Sequence, residues 1–178
     1  MGFGELRIWA VAVALTIALG ALFGGYYLYE QNTVKAPLEQ AFADAPEVKG
    51  FTLTRDDQVT RLDVELVWVD DLADTYAALD ATARRFLGQG YALRIVDRRN
   101  PFLEQVYHQA HFALQEGIYT GRFTEMARAV DVVMELNGVE EYRLTVTERY
   151  VFFQIKKGSA YLYEVIPRTE GKGGDALD

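Results

Sequence analysis

The sequence predicts an α+β domain behind a single N-terminal transmembrane helix. The domain's elements follow the order β-β-α-β-α-α-β-β-β, and they predict a mostly antiparallel sheet with helices on one face. Three observations carry this. Residues 8–29 hold no charged side chain. Beyond them, several short stretches alternate apolar and polar residues and are rich in β-branched and aromatic types, as strands are. Between those lie longer stretches whose apolar residues recur every three or four positions, as on one face of a helix. Strands, then helices, then strands again is the pattern of helices segregated onto an antiparallel sheet.

The apolar run is bounded by Arg7 and Glu30. As a helix, about 22 residues would span roughly 33 Å, enough for a hydrocarbon core of about 30 Å. Trp9 stands near one end and Tyr26, Tyr27 and Tyr29 at the other, where aromatic rings meet headgroups. The run is longer than the apolar region of a cleaved signal peptide and ends in Tyr-Tyr-Leu-Tyr, not in a small-x-small cleavage site. Residues 1–7 therefore read as a short leader and 8–29 as an uncleaved signal anchor. The expected location is the plasma membrane, with the N-terminus cytoplasmic and the domain extracytoplasmic. Gly20 and Gly24 form a GxxxG pair, a spacing that lets two membrane helices approach closely.

Residues 30–50 read as a linker, within which Pro37 opens a short helix that Pro46 ends. The domain is expected over 51–167 and a polar tail over 168–178. Phe51 to Arg55 is a strand and Asp56-Asp57 a turn. From Val59 to Val69, Leu62, Val64, Leu66 and Trp68 share one face, opposite Arg61, Asp63 and Glu65, so the two stretches make a hairpin. Asp71 caps a helix through Leu72, Tyr76, Leu79, Ala83 and Phe86, which Gly88 and Gly90 stop. Tyr91 to Asp97 is a further strand. Asn100 caps the next helix and Pro101 takes its first position. That helix runs to Glu116; Gly117 and Gly121 interrupt it, and another runs from Arg122 to Leu136. Three strands close the domain at 142–148, 150–156 and 160–166, the last two joined by a turn at Lys157-Gly158. In element order alone, the β-α-β piece from Val59 to Asp97 resembles the small modules that build rings and scaffolds in bacterial envelopes.

Composition narrows the function classes. The chain has 178 residues, 50% of them hydrophobic and 13% aromatic, which suits a folded domain with a sizeable core. A net charge of -8 argues against a general affinity for nucleic acid. With no cysteine there are no disulfides, thiolate metal sites or cysteine nucleophiles. Ser159 is the only serine and lies in a hairpin turn, so no Ser-His-Asp triad is expected. The carboxylate pairs Asp56/Asp57, Asp70/Asp71 and Glu140/Glu141 sit at turns or helix starts, where acidic residues cap and solvate. No cofactor is expected.

Three sets of residues merit attention. Glu104, His108, His111 and Gln115 fall in one helical stripe roughly 60° wide, and a carboxylate with two imidazoles on neighbouring turns can hold a transition metal. An ordinary polar helix flank has the same spacing, and no HExxH arrangement accompanies it. Arg98 and Arg99 precede a helix start, where free N–H groups and the positive end of the helix favour an anion. In the last strands Tyr150, Phe152, Tyr161 and Tyr163 alternate with Val151, Phe153, Ile155, Leu162 and Ile166, so both faces are apolar. One face must meet helices. The other is either covered internally or left as a partner surface, to which Phe112 would add. The sequence thus favours a non-enzymatic, membrane-anchored envelope protein that binds another protein or itself. An extracytoplasmic anion sensor and a metal-dependent enzyme are the competing expectations.

Overall fold

The computed structural model describes residues 13–20, 36–55, 59–139 and 141–168. Helix α1 covers 13–20, and Val13, Leu15, Ile17 and Leu19 on it are exposed. Among the described residues, no helix is long and apolar enough to cross a membrane. The rest of the 8–29 run lies outside the described residues, as do Gly24, the Asp56-Asp57 turn and Glu140. Gly20 lies on α1 with open space around it among the described residues.

The remaining elements are α2 (Ala36–Ala43), β1 (Val48–Arg55), β2 (Thr60–Leu66), α3 (Leu72–Leu87), β3 (Tyr91–Val96), α4 (Pro101–Thr120), α5 (Phe123–Leu136), β4 (Glu141–Val146), β5 (Tyr150–Lys157) and β6 (Ala160–Pro167). From β1 onward this is the order read from the sequence. The linker is shorter than expected. Leu38 and Phe42 of α2 are buried in the core, and β1 begins inside the stretch assigned to the linker.

The expectation of a single sheet with helices on one face needs correction. The strands make two three-stranded sheets, β1-β2-β3 and β4-β5-β6. In the first, β1 pairs antiparallel with β2, and β3 pairs parallel with β2 after the α3 crossover that a parallel pair requires. The second is an antiparallel meander. The second sheet is covered on both faces, by α4 and α5 on one and by the first sheet with α3 on the other. Val151, Phe153, Ile155 and Leu162 pack with α4 and α5, against Leu103, Val106, Ala110, Met126 and Val130. On the opposite face Phe152, Tyr161 and Tyr163 join Leu62, Val64, Leu66, Leu72, Tyr76 and Ile95 in a second cluster. Two apolar faces on one hairpin require two covers, and α4 and α5 supply only one of them.

Local chemistry accounts for the helix ends. Asp71 accepts hydrogen bonds from the N–H groups of Ala73 (2.9 Å) and Asp74 (3.3 Å), and Asn100 accepts one from Leu103 (2.9 Å). Gly121, with φ of 71°, ends α4 in the left-handed region. Gly117 does not interrupt α4, contrary to the sequence reading. It is buried where α4 meets α5, and a Cβ there would lie 2.5 Å from Met126 Cβ. Residues 101–136 are therefore two helices, broken at Gly121-Arg122 and not at Gly117.

The connection between β2 and α3 is held by side chains of the other sheet. Tyr161 O–H donates to Leu66 C=O (2.6 Å). Tyr163 O–H donates to Val67 C=O (2.9 Å) and accepts from Val69 N–H (2.7 Å). Gln154, the one buried polar residue among the described residues, donates to Val69 C=O (2.7 Å) and accepts from Leu72 N–H (2.8 Å). Trp68 stacks on Tyr163 with centroids 5.7 Å apart, and Lys156 Nζ lies 5.4 Å from the Trp68 ring. Burial pushes the Tyr163 phenol above its ordinary value, which keeps it a donor.

Two substitutions test this packing. Gln154→Ala strands a buried N–H and a buried C=O and is expected to cost about 3 kcal/mol in urea unfolding. Gly117→Val forces α4 off α5 and should cost about 3 kcal/mol, whereas a valine at an unpacked helical position would gain slightly over glycine.

Candidate functional site

The two sheets meet along the edges of β3 and β6. Each of these strands pairs within its own sheet on one side only. Among the described residues one antiparallel bridge joins the edges: Tyr161 N–H donates to Arg98 C=O at 3.1 Å. Beyond that joint the edges part and leave a cleft in two lobes that share Leu93 and Val165. The lobe near the joint holds about 580 Å³ and is walled by Arg94, Asp97, Arg99, Tyr163 and Glu164. The lobe toward the other end holds about 530 Å³, with Tyr76, Asp80, Arg84, Tyr91, Arg149 and Tyr150 among its walls.

An ionic cluster fixes the joined end. Arg99 donates to Asp97 from Nε (2.9 Å) and Nη2 (2.7 Å), and from Nη1 to Glu164 (3.0 Å). Asp97 also accepts from Tyr163 N–H at 2.8 Å, so it caps the first free donor of the β6 edge. The hydrogen bond to Asp97, and then the charges of Asp97 and Glu164, hold the Arg99 guanidinium above its ordinary value, against its partial burial. Burial pushes the Glu164 carboxyl above its ordinary value, and nearby Arg99 opposes this. In the other lobe Asp80 is occupied by Arg84 (2.8 Å) and by the Tyr91 hydroxyl (2.5 Å).

The sequence-derived sites fare differently. The Arg98/Arg99 pair is not a free anion anchor. Arg99 is already bound to two carboxylates, one of them from a strand that lies far along the chain, and only Arg98 of the two has an unengaged guanidinium. Among the described residues no three His, Cys, Asp or Glu side chains group to hold a metal ion. Glu104 and His108 are exposed on α4. The His108 ring meets Phe112 (6.0 Å), and the His111 ring meets Tyr107 (5.6 Å) and Phe112 (5.9 Å). Of the expected aromatic surface, Phe152, Tyr161 and Tyr163 are interior and Tyr150 is half-buried against Tyr76. Only Phe112, 70% exposed, stands open. The cleft residues Leu93, Arg94, Arg149 and Val165 were not singled out from the sequence. Their strands were legible, but which strands are edges depends on pairing that no local pattern encodes.

No protein-family model, no curated protein and no solved structure matches this chain. The described residues define a mixed α+β domain of two small sheets.

One titration follows from the cluster. The folded state holds the Glu164 proton more tightly than the unfolded chain does. Stability from this group is therefore present at low pH and declines as pH rises from the ordinary carboxylate range toward the raised value. Glu164→Gln should remove that decline. In urea unfolding at pH 4 and pH 7, the variant should gain on the parent at the higher pH.

Proposed function

We propose that this chain is a single-pass, membrane-anchored protein whose domain recognises or assembles with another protein in the cell envelope. The observation that carries this reading is the cleft itself. Two sheet edges with unpaired backbone groups face each other across an open space, and such edges bind polypeptide. The uncharged run over residues 8–29 supplies the anchor, as a transmembrane helix with the N-terminus cytoplasmic and the domain outside. Gly20 and Gly24 give that helix a face suited to pairing with a second copy. The anion-sensor reading loses ground because Arg99 is neutralised within the fold.

Two measurements test the proposal. In cell fractionation the full chain should stay with membranes through a carbonate wash. A photo-crosslinking residue placed at Ala92 on the cleft should trap a discrete protein adduct in intact cells, while one at exposed Arg128 should not. Release by carbonate would overturn the anchor. Absence of adducts from Ala92, and also from Phe112 on α4, would overturn recognition.

A further inference from the structure

We infer that the β3–β6 cleft takes an extended segment of a partner protein, with acidic side chains on alternate positions, as an added strand joining the two sheets. This rests on the recognition reading above and specifies its mode.

The edges argue for an extended backbone as the occupant. A strand laid beside β1 or β4 would pair on one side only, because each of these ends its sheet without a facing edge in the described fold. A strand between β3 and β6 pairs on both sides. The bridge at Arg98 and Tyr161 is antiparallel, so the inserted segment runs parallel to one edge and antiparallel to the other. Pro167 lacks an N–H and marks where the β6 edge ends.

The walls argue for its side chains. Leu93 and Val165 pack with the core cluster under α3, so one face of the inserted strand meets apolar surface. Arg94, adjacent to Leu93 on β3, faces the opposite way, as successive strand residues do. Every carboxylate lining the cleft is already engaged: Asp97 and Glu164 by Arg99, and Asp80 by Arg84. Arg94 has no side-chain partner among the described residues. Arg149 lies over the Tyr150 ring at 5.4 Å, and no carboxylate pairs with it among the described residues. The cleft walls carry four guanidiniums against three carboxylates, a net positive charge in a chain of net charge -8, and Arg94 and Arg149 are the two without a carboxylate partner, which marks this cleft as the place for anionic side chains. A segment alternating apolar and acidic residues satisfies both faces together.

The test uses the full chain in detergent micelles and a fluorescent octapeptide of alternating valine and glutamate. The expected result is saturable binding by anisotropy, with slowed amide exchange across residues 92–96 and at Val165. The same peptide N-methylated at every valine, and a valine–lysine peptide, should each bind at least tenfold more weakly. Arg94→Glu with Arg149→Glu should weaken binding at least tenfold while leaving the circular dichroism spectrum unchanged. Lack of binding by the valine–glutamate peptide, equal binding of its N-methylated form, or binding without protection of those amides would each overturn the proposal. If these arms fail while crosslinks from Ala92 persist in cells, strand insertion falls and the recognition reading stands. If the crosslinks are absent as well, both fall.

Discussion

The fold depends on a clamp in which side chains of one sheet satisfy the backbone of the other. Between Leu66 and Leu72 the chain leaves β2, and beyond the Val67 N–H, which donates to Glu47 C=O at 2.9 Å, it has no neighbouring strand to pair with. Its carbonyls and N–H groups are met instead by Tyr161, Tyr163 and Gln154. Buried backbone groups left without partners cost more than the net contribution of a hydrogen bond, so the crossing is stable only with β5 and β6 beneath it. The same clamp sets the start of α3, because Leu72 N–H is one of the donors a helix start leaves free. Asp71, the cap of α3, also reaches Arg143 on β4 at 2.9 Å. The two sheets are thus tied by polar contacts as well as by shared core.

Strand β5 is the centre of this arrangement. It is buried along nearly its whole length on both faces, with Phe153 between the helices and Phe152 toward the first sheet. A strand covered on both sides fixes the layers on either side of it. That leaves β3 and β6 as edges close enough to bridge at one end and too divergent to pair along their length. The cleft follows from geometry: twisted sheets tied at one corner separate away from it. The Asp97–Arg99–Glu164 cluster stabilises that corner and at the same time uses up the arginine that a sequence reading offers to a ligand.

Metal chemistry illustrates how spacing and structure part company. Glu104, His108 and His111 do share a helical face, as their spacing requires. A metal site needs convergence from several directions, and the neighbours of these imidazoles are Tyr107 and Phe112 on the same helix. The contrasting case is Glu164. It stands far along the chain from Arg99 and became its partner only because β6 passes beside the end of β3.

Local periodicity and capping by themselves determined the elements: the Leu62-Val64-Leu66 strand face, the Leu72–Ala83 helix face, the Asn100-Pro101 start and the last hairpin turn, which falls at Gly158-Ser159, one residue beyond the expected Lys157-Gly158, were all legible, because each depends on residues a few positions apart. The apolar run over 8–29 was legible for the same reason, since charge and length are local properties. Tertiary structure alone decided that the strands divide into two sheets, that the tyrosines of β6 turn inward, that Gly117 is a contact point and not a break, and that β3 and β6 are open edges. Those outcomes depend on which distant segments meet, and no window of sequence contains both partners.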